Sequence, residues 1–270
     1  MSAAALARND SPPDRDAPAS AATRRAYGLL PALALLIAWE ASSRFALVDP
    51  KILPSLAAVL QRAVTELSEG RLLGDIGASL ARDLVGFALG SALGVPLGLA
   101  LGLSRTLDRV IGPTFNAVKQ IAIFAWIPLL SVWFGVGEEA KIAFIALAAF
   151  TPAVVNAWNG ARAVPPKLAE VAEVLTLNRW QRLVTLTLPA ALPSIFIGLH
   201  LGLIQSWLAT VGAEYFMTVG PGIGGLMTEG REHFHMDLVF LGVLLLGLIG
   251  LALNLAATRL EARALRWRSR

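Results

Sequence analysis

The sequence predicts an all-α, polytopic membrane protein with six transmembrane helices and a polar hairpin between two of them. Of its 270 residues, 56% are hydrophobic and 16% are charged, and the mean hydropathy is +0.63. Soluble domains have about a quarter of their residues charged. Six segments have the roughly 20 mostly apolar residues that a helix needs to cross a bilayer. They are residues 28–47, 84–103, 114–135, 140–160, 191–213 and 238–258.

The two ends of the chain differ in composition from this membrane region. Residues 1–26 are rich in Ala, Ser, Pro, Asp and Arg and have no apolar stretch, which is typical of a disordered tail and not of a signal peptide. Residues 27–260 form the predicted transmembrane domain, and residues 261–270 a basic tail.

The positive charges indicate the orientation. Six spans place both termini on one side, and a cytoplasmic N-terminus puts fifteen Lys and Arg residues inside and seven outside, with Lys119 near the boundary. This bias favours cytoplasmic termini and a cytoplasmic polar hairpin at residues 165–189. Because the cations cluster at the ends of apolar runs and not on one face, we expect no nucleic-acid binding.

The first outside loop, residues 48–83, contains a helical pattern. Apolar residues recur at helical spacing after Pro54, which suits a first turn, and Gly70 suits the end. The pattern predicts an amphipathic helix at the membrane interface. Its apolar members are Leu56, Val59, Leu60, Val64 and Leu67.

The second span carries a glycine at every fourth position. Four residues turn a helix by about 400°, so these glycines form one continuous shallow groove. Small residues of this kind let a second helix approach closely within lipid. The groove suits either static packing or a surface on which a moving helix slides, and the sequence leaves both open. The glycines are Gly86, Gly90, Gly94, Gly98 and Gly102.

Three side chains in the fifth span are candidates for a translocation path. Ionisable groups within spans are often functional, although a hydrogen bond to another helix is the favoured role for His200. Glu214 closes the span on its outer side, as an interface residue or a gate. Trp207 is the best aromatic candidate for lining a path.

Several chemistries are excluded or disfavoured. The chain has no cysteine, which excludes disulfides, thiolate catalysis and Cys-based metal sites. The GxxxxGK[ST] pattern of a phosphate-binding loop is absent, and no nucleophile elbow occurs. We therefore expect no metal and no cofactor bound directly, a non-catalytic chain, and ATP-Mg, where used, bound by a partner.

The hairpin resembles the cytoplasmic motif of importer permeases of the ATP-binding-cassette (ABC) class. That motif reads E-A-A, three further residues and a glycine, and after about nine more residues it ends in Leu-Pro. In this chain it reads Glu170-Val171-Ala172, with Thr176 at the glycine position and Leu188-Pro189 at the end. Because Thr176 replaces the glycine that permits the turn, we expect Asn178 to take the left-handed conformation instead.

Further motifs resemble the sulfonate, taurine and nitrate permease group, from about residue 27 onward. They are Leu53-Pro54-Ser55, Ser79-Leu80-x-Arg82 with Gly86-Phe87, and Ile127-Pro128-Leu129 with Trp133-Phe134-Gly135, while Ala122 stands where the group usually has proline. Ala213-Glu214 and Gly222-Ile223-Gly224 are most similar to the aliphatic-sulfonate branch.

The resemblance implies an assembly and a place in the cell. It implies a homodimer in the bacterial inner membrane, two ABC ATPase subunits and a periplasmic solute-binding protein. Val171, Val174 and Leu175 would contact the ATPase, with Glu170 and Glu173 at the rim.

The implied cargo is an aliphatic sulfonate or taurine, with nitrate, bicarbonate and a vitamin precursor as alternatives. The rival class is a self-contained membrane protein, either a secondary carrier or a membrane-embedded enzyme. A carrier would more often show membrane-buried carboxylates or repeated broken spans.

Overall fold

The computed structural model describes residues 21–45, 47–217 and 220–266, and every regular element among them is helical, which confirms the predicted all-α class. The helices are α1 Ala21–Arg44, α2 Leu56–Ser68, α3 Arg71–Leu103, α4 Arg105–Val118, α5 Ile127–Phe134, α6 Glu138–Arg162, α7 Pro166–Val174, α8 Arg179–Arg182, α9 Leu188–Phe216, α10 Ile223–Glu232 and α11 Met236–Ala264. A 3₁₀ turn at Ile123–Trp126 precedes α5, and a π-helical turn at Leu183–Thr187 joins α8 to α9.

The chain divides into two compact units, one ending at Leu56 and the other beginning at Ala57. In the first unit the indole of Trp39 donates to the carbonyl of Pro54 at 2.9 Å, and the Leu56 backbone N–H donates to Glu40 at 2.8 Å. These two hydrogen bonds hold the segment that follows α1 against the end of α1. The predicted disordered tail lies outside the described residues up to residue 20, and α1 already begins at Ala21.

Four stretches of the described chain are long and apolar enough to cross a membrane. They are α3, α6, the continuous segment Trp180–Phe216 and α11. The predicted spans 84–103, 140–160, 191–213 and 238–258 all lie within these four. The predicted span 28–47 falls on α1, which is not among them, so the count of six stays a prediction.

The predicted span 114–135 is not one unbroken helix, and whether it crosses the membrane stays a prediction. The chain there forms α4, a 3₁₀ turn and α5, with a bend of 95° between the two helical parts, so the segment is a broken span or a re-entrant loop. The α-helical hydrogen-bond ladder of α4 ends before the bend, because the Gln120 and Ile121 N–H groups bond three residues back, to the Ala117 and Val118 carbonyls. After the bend the Ile127 N–H bonds to the Phe124 carbonyl and closes a 3₁₀ turn. Pro128 then occupies the first turn of α5, where proline is favoured.

The predicted outside loop 48–83 is mostly helical. α2 confirms a helix in it, although its place at the membrane interface stays a prediction, and α3 begins at Arg71 instead of residue 84. The first turns of α3 looked like loop because they carry Asp75, Arg82 and Asp83. These polar side chains are buried against other helices.

Helix α6 lies at the centre of the second unit, between α3 and α9. One apolar cluster joins Leu101 of α3 and Phe115 of α4 to Val154 and Trp158 of α6. Another joins Ala157 of α6 to Ala191 and Ile195 of α9. The described part of the bundle is therefore held by small and aromatic side chains at close helix contacts.

Candidate functional site

The predicted polar hairpin is present as a short helix, a tight turn and a second helical segment. Pro165 and Pro166 begin α7, since proline suits the first helical position. The turn follows at Leu175–Asn178, and α8 continues through the π-helical turn into α9. Leu188 and Pro189 are half-buried at the start of α9, where Leu188 packs against the Ala157 cluster. The hairpin is thus continuous with a long helix of the bundle.

The turn is made by Thr176 and not by Asn178. Thr176 has a φ of 49°, in the left-handed region, while Asn178 is not among the described residues with positive φ. The Thr176 N–H bonds to the Glu173 carbonyl at 2.9 Å and the Leu177 N–H to the Ala172 carbonyl at 3.1 Å. These two bonds form a Schellman motif, which normally has glycine at its left-handed position. The expectation for Asn178 was wrong, because the helix end fixes which residue must turn.

Asn178 instead caps the second helical segment. Its side chain accepts from the Gln181 N–H at 2.8 Å, and the Gln181 side chain accepts from the Asn178 N–H at 3.0 Å. This reciprocal pair is a capping box. Glu173 and Arg182 approach within 3.8 Å across the hairpin. The polar residues of the hairpin therefore fix its shape.

The apolar side chains of the hairpin are exposed. Val174 is 82% exposed, and Val171 and Leu175 are more than half exposed. Glu170 is also exposed, whereas Ala172 retains only 3% of its accessible surface and faces inward. Exposed apolar residues that are rimmed by charges are typical of a protein contact.

Trp180 is a further exposed apolar residue of the hairpin, and it was missed by sequence reasoning. Its side chain is 70% exposed at the start of the second helical segment. Tryptophan is enriched at the energetic centres of protein interfaces. A tryptophan two residues past the turn was a visible signal, but its exposure depends on how the segment packs.

The glycine groove of α3 lies directly against α6. A Cβ atom added at Gly90 would lie 2.2 Å from the Ala146 carbonyl oxygen, and one at Gly98 would lie 2.3 Å from that of Val154. Cβ atoms added at Gly86, Gly94 and Gly102 would likewise meet α6 at 2.4–2.8 Å. Each added methyl group would collide with backbone or with a short side chain. The two helices are therefore in backbone contact along the whole groove.

At the opposite end of α9 from the hairpin, Glu214 lies in a buried ionic cluster. Its carboxylate accepts from Ser79 at 2.8 and 2.9 Å, from Arg82 at 2.5 Å and from the Gly224 N–H at 2.9 Å. Arg82 also donates to Glu138 at 2.5 and 2.8 Å. Glu214 therefore ties α9 to α3 and α10, and its oxygens are occupied by these partners. Removing one partner of a buried ion pair costs about 3–5 kcal/mol.

The start of α10 completes the cluster. The Gly222 N–H donates to Asp75 at 2.8 Å and the Ile223 N–H donates to Ser79 at 3.0 Å. Gly222 has a φ of 153°, and a Cβ there would lie 2.7 Å from the Glu214 carboxyl carbon. Glycine is required at this position by both the conformation and the space. Motifs from distant parts of the sequence thus meet at one point.

His200 and Trp207 both join α9 to α11. The His200 ring lies 2.7 Å from the Asn254 side-chain oxygen and 3.4 Å from a Glu261 oxygen. The Trp207 indole N–H donates to the Leu246 carbonyl at 3.1 Å. The arrangement fits the helix-to-helix hydrogen bond expected for His200. The roles of His200, Trp207 and Glu214 in a translocation path stay predictions.

Comparison with known proteins identifies the family. Residues 94–266 match the sequence model of a protein family, the inner membrane component of binding-protein-dependent transport systems. The chain is 32% identical over 251 residues to an aliphatic sulfonates transport permease protein of Bacillus subtilis (strain 168), with 91% of this chain and 90% of the relative covered. It is 38% identical over 235 residues to a riboflavin transport system permease protein of Chloroflexus aurantiacus, with 86% and 87% covered.

The fold is similar to a chain of the MetNI methionine ABC transporter in an inward-facing conformation. The TM-score is 0.62 at 19% identity, and the alignment covers 73% of this chain and 98% of that one. This likeness concerns the fold alone. The family match extends over more than half of the sequence. The chain therefore belongs to the inner membrane components of binding-protein-dependent transport systems, and it is a multi-pass membrane permease.

Proposed function

We propose that this chain is the membrane-spanning subunit of an ATP-driven importer and that the hairpin at residues 165–189 is the docking site of an ABC ATPase. The observation that carries the proposal is the exposed apolar surface of the hairpin, formed by Val171, Val174, Leu175 and Trp180. The chain itself has no phosphate-binding loop. ATP-Mg is then bound and hydrolysed by the partner, and this subunit is not an enzyme.

The proposed assembly contains two copies of the chain, two ATPase subunits and a periplasmic solute-binding protein. Both termini and the hairpin lie on the cytoplasmic side, because that orientation places most Lys and Arg residues inside. The spans number six, counting α1 and the broken α4–α5 segment with the four long apolar stretches. The family match supports a partner of the binding-protein type.

The hairpin would couple ATP binding to transport through its connection with α9. Val174 and Leu175 would fill an apolar groove on the ATPase, and Glu170 would stand at its rim. Closure of the ATPase dimer would then move the hairpin, and the bundle would change between inward- and outward-facing states. Such coupling is a free-energy link between two distant sites, and it requires that both sites bias the same conformational change.

The proposed cargo is an aliphatic sulfonate or taurine. The extended similarity to the sulfonate permease of B. subtilis supports this class. A vitamin is the second candidate, since the chain shares a higher sequence identity with the riboflavin permease of C. aurantiacus than with the sulfonate permease, over a slightly shorter length. Nitrate and bicarbonate are further alternatives. Growth of a deletion strain distinguishes these cargoes. The strain is grown with alkanesulfonates or taurine as the sole sulfur source and, in parallel, with nitrate as the sole nitrogen source. A third arm measures growth of a riboflavin-requiring strain on added riboflavin.

The docking role is tested by charge reversal on the hairpin. We expect Glu170→Lys to uncouple cargo uptake from ATP hydrolysis while the protein stays in the membrane at its normal level. Glu139→Lys, at an exposed glutamate near the start of α6, is the matched control and should keep uptake. Normal uptake by the Glu170 variant would refute the coupling role.

A purification experiment separates the importer from the rival class. A tagged, detergent-solubilised chain should retain its ATPase, and Val174→Asp should lose it because the substitution places a charge in an apolar contact. A secondary carrier would transport by itself. Uptake into vesicles that contain only this chain and no ATP would therefore exclude the importer.

A further inference from the structure

A large basic cavity lies beside the hairpin, between the α3–α4 turn, the end of α6 and the segment that leads into α9. Its volume is about 1360 Å³. Four arginines line it, at positions 105, 109, 162 and 182, against the single carboxylate of Asp108. We propose that this cavity binds the phosphate headgroup of an anionic phospholipid. The proposal rests on the membrane location of the family and not on the ATPase docking role.

The positive charge of the cavity is only partly neutralised. Arg162 forms a salt bridge with Asp108, and Arg182 lies 3.8 Å from Glu173. Among residues 21–45, 47–217 and 220–266, Arg105 and Arg109 form no salt bridge. The cavity therefore keeps two exposed guanidinium groups, which suit a phosphate because each presents several N–H donors in one plane.

The first turn of α4 adds backbone donors to the same wall. Ser104 caps the helix by accepting from the Leu107 N–H at 3.3 Å. The N–H groups of Arg105 and Thr106, the first two residues of the same turn, have no carbonyl within the helix to reach. Both residues line the cavity. A helix start next to free guanidinium groups favours a bound anion.

The size and the walls of the cavity favour a lipid over a small anion. Pockets for small molecules are typically about 300–1,000 Å³, so this one is larger than an inorganic anion needs. Its lining also includes Leu103 and Leu107, which are exposed, and Leu186. A charged centre with apolar borders matches a headgroup attached to acyl chains.

The position of the cavity agrees with this assignment. It lies where three membrane-length stretches end, at Leu103, at Arg162 and at Trp180. Basic pockets between helices at the membrane surface bind anionic headgroups. A lipid held here would touch both the α3–α4 turn and the hairpin, and so would fix their separation.

The experiment measures lipid binding by the full-length, detergent-solubilised chain. Phosphatidylglycerol and phosphatidylcholine with identical acyl chains are titrated while bound lipid is counted by native mass spectrometry and the unfolding temperature is followed. We expect phosphatidylglycerol to bind and stabilise and phosphatidylcholine to do neither. The double variant Arg105→Gln/Arg109→Gln should bind phosphatidylglycerol about 30-fold more weakly, because each surface cation contributes about 1 kcal/mol.

Two controls make the result specific. Arg259→Gln/Arg263→Gln removes two exposed arginines from α11 and should change the affinity less than about twofold, because these residues lie outside the cavity. Arg105→Lys/Arg109→Lys keeps the charge and should retain most of the binding, which shows that substitution there leaves the protein folded. Equal binding of both lipids, or full affinity in the Gln double variant, would overturn the proposal.

A third arm tests the alternative source of the same chemistry. Inorganic phosphate and methanesulfonate are added at millimolar concentration in place of lipid. We expect neither to stabilise the protein nor to displace phosphatidylglycerol. Displacement of the lipid by either anion would identify a small-anion site and overturn the lipid assignment.

Discussion

Replacing Gly90 by alanine tests whether α3 and α6 are held in backbone contact. The new Cβ would lie 2.2 Å from the Ala146 carbonyl oxygen and 3.0 Å from the Ala149 Cβ. Cβ contacts below 3.0 Å are essentially absent from proteins, so the helices must separate by about 0.8 Å at this point. Such a shift in a packed interior typically costs about 1–3 kcal/mol.

The matched control lies on the same helix. A Cβ added at Gly74 meets nothing within 4 Å, so Gly74→Ala tests the intrinsic preference for alanine alone. That preference favours alanine over glycine by about 1 kcal/mol within a helix. Because both variants share this gain, it cancels in the comparison, and they should differ in the free energy of unfolding by about 1–3 kcal/mol, with Gly90→Ala the less stable.

Reversible unfolding in mixed detergent micelles, followed by helical circular dichroism, measures this difference. Gly98→Ala should behave like Gly90→Ala, since its Cβ would lie 2.3 Å from the Val154 carbonyl oxygen. If Gly90→Ala were as stable as Gly74→Ala, the two helices would not be in contact along the groove. A surface on which helices slide freely would then be the better interpretation of the glycine pattern.

Two further predictions concern the hairpin turn and the link between α3 and α10. Thr176→Gly should stabilise the protein by about 1 kcal/mol in thermal unfolding, because threonine is strained at positive φ. The control Thr185→Gly, in the helical segment, should destabilise the protein. A loss of stability in Thr176→Gly would contradict the strain. Arg71 donates to Glu229 and thereby holds the pKa of that carboxyl below its ordinary value of 4.5. The stability that this ion pair contributes is complete above pH 4.5, the ordinary pKa of the carboxyl, and is lost as the pH falls through the lower pKa of Glu229 in the folded protein. The stability difference between wild type and Glu229→Gln should therefore close in acid, and a difference that persists at about pH 2 would refute the ion pair.

The all-α fold class and the four long apolar stretches could be predicted from the sequence because each depends on local composition. The hydropathy of residues 140–160 or 238–258 alone requires a helix of membrane length. The bend between α4 and α5 is not visible to hydropathy, because residues 114–135 are apolar on average. Pro128 marks only the first turn of α5, whereas α4 already ends at Val118, where no proline or glycine follows directly.

The turn of the hairpin was mispredicted for a different reason. Asn tolerates the left-handed conformation better than a β-branched residue does, so local preference pointed to Asn178. The end of α7 places Thr176 at the left-handed position instead, and two Schellman hydrogen bonds stabilise it there. Asn178 then provides the cap for which its side chain is suited. Local preference was overruled because the helix end fixes the register of the turn.

The ionic cluster could not be predicted because its members are separated by up to 147 residues in the chain. Ser79, Arg82, Glu214 and Gly222 each stood in a family-like motif, but nothing in the sequence indicated that they meet. The polarity of the first turns of α3 even suggested a loop. Buried charges are tolerated there because every one of these groups has a partner on another helix.

Helix α9 connects the two candidate regions. It is 29 residues long, or about 43 Å, with the hairpin at its start and Glu214 near its end. The ionic cluster fixes the Glu214 end to α3 and α10, so a force applied at the hairpin cannot move the whole helix without breaking buried ion pairs. The π-helical turn at Leu183–Thr187 is the place where the hydrogen-bond ladder is already irregular. Under the proposed coupling, small displacements of the hairpin would therefore be absorbed at this turn, whereas movement of the outer end requires that the cluster open.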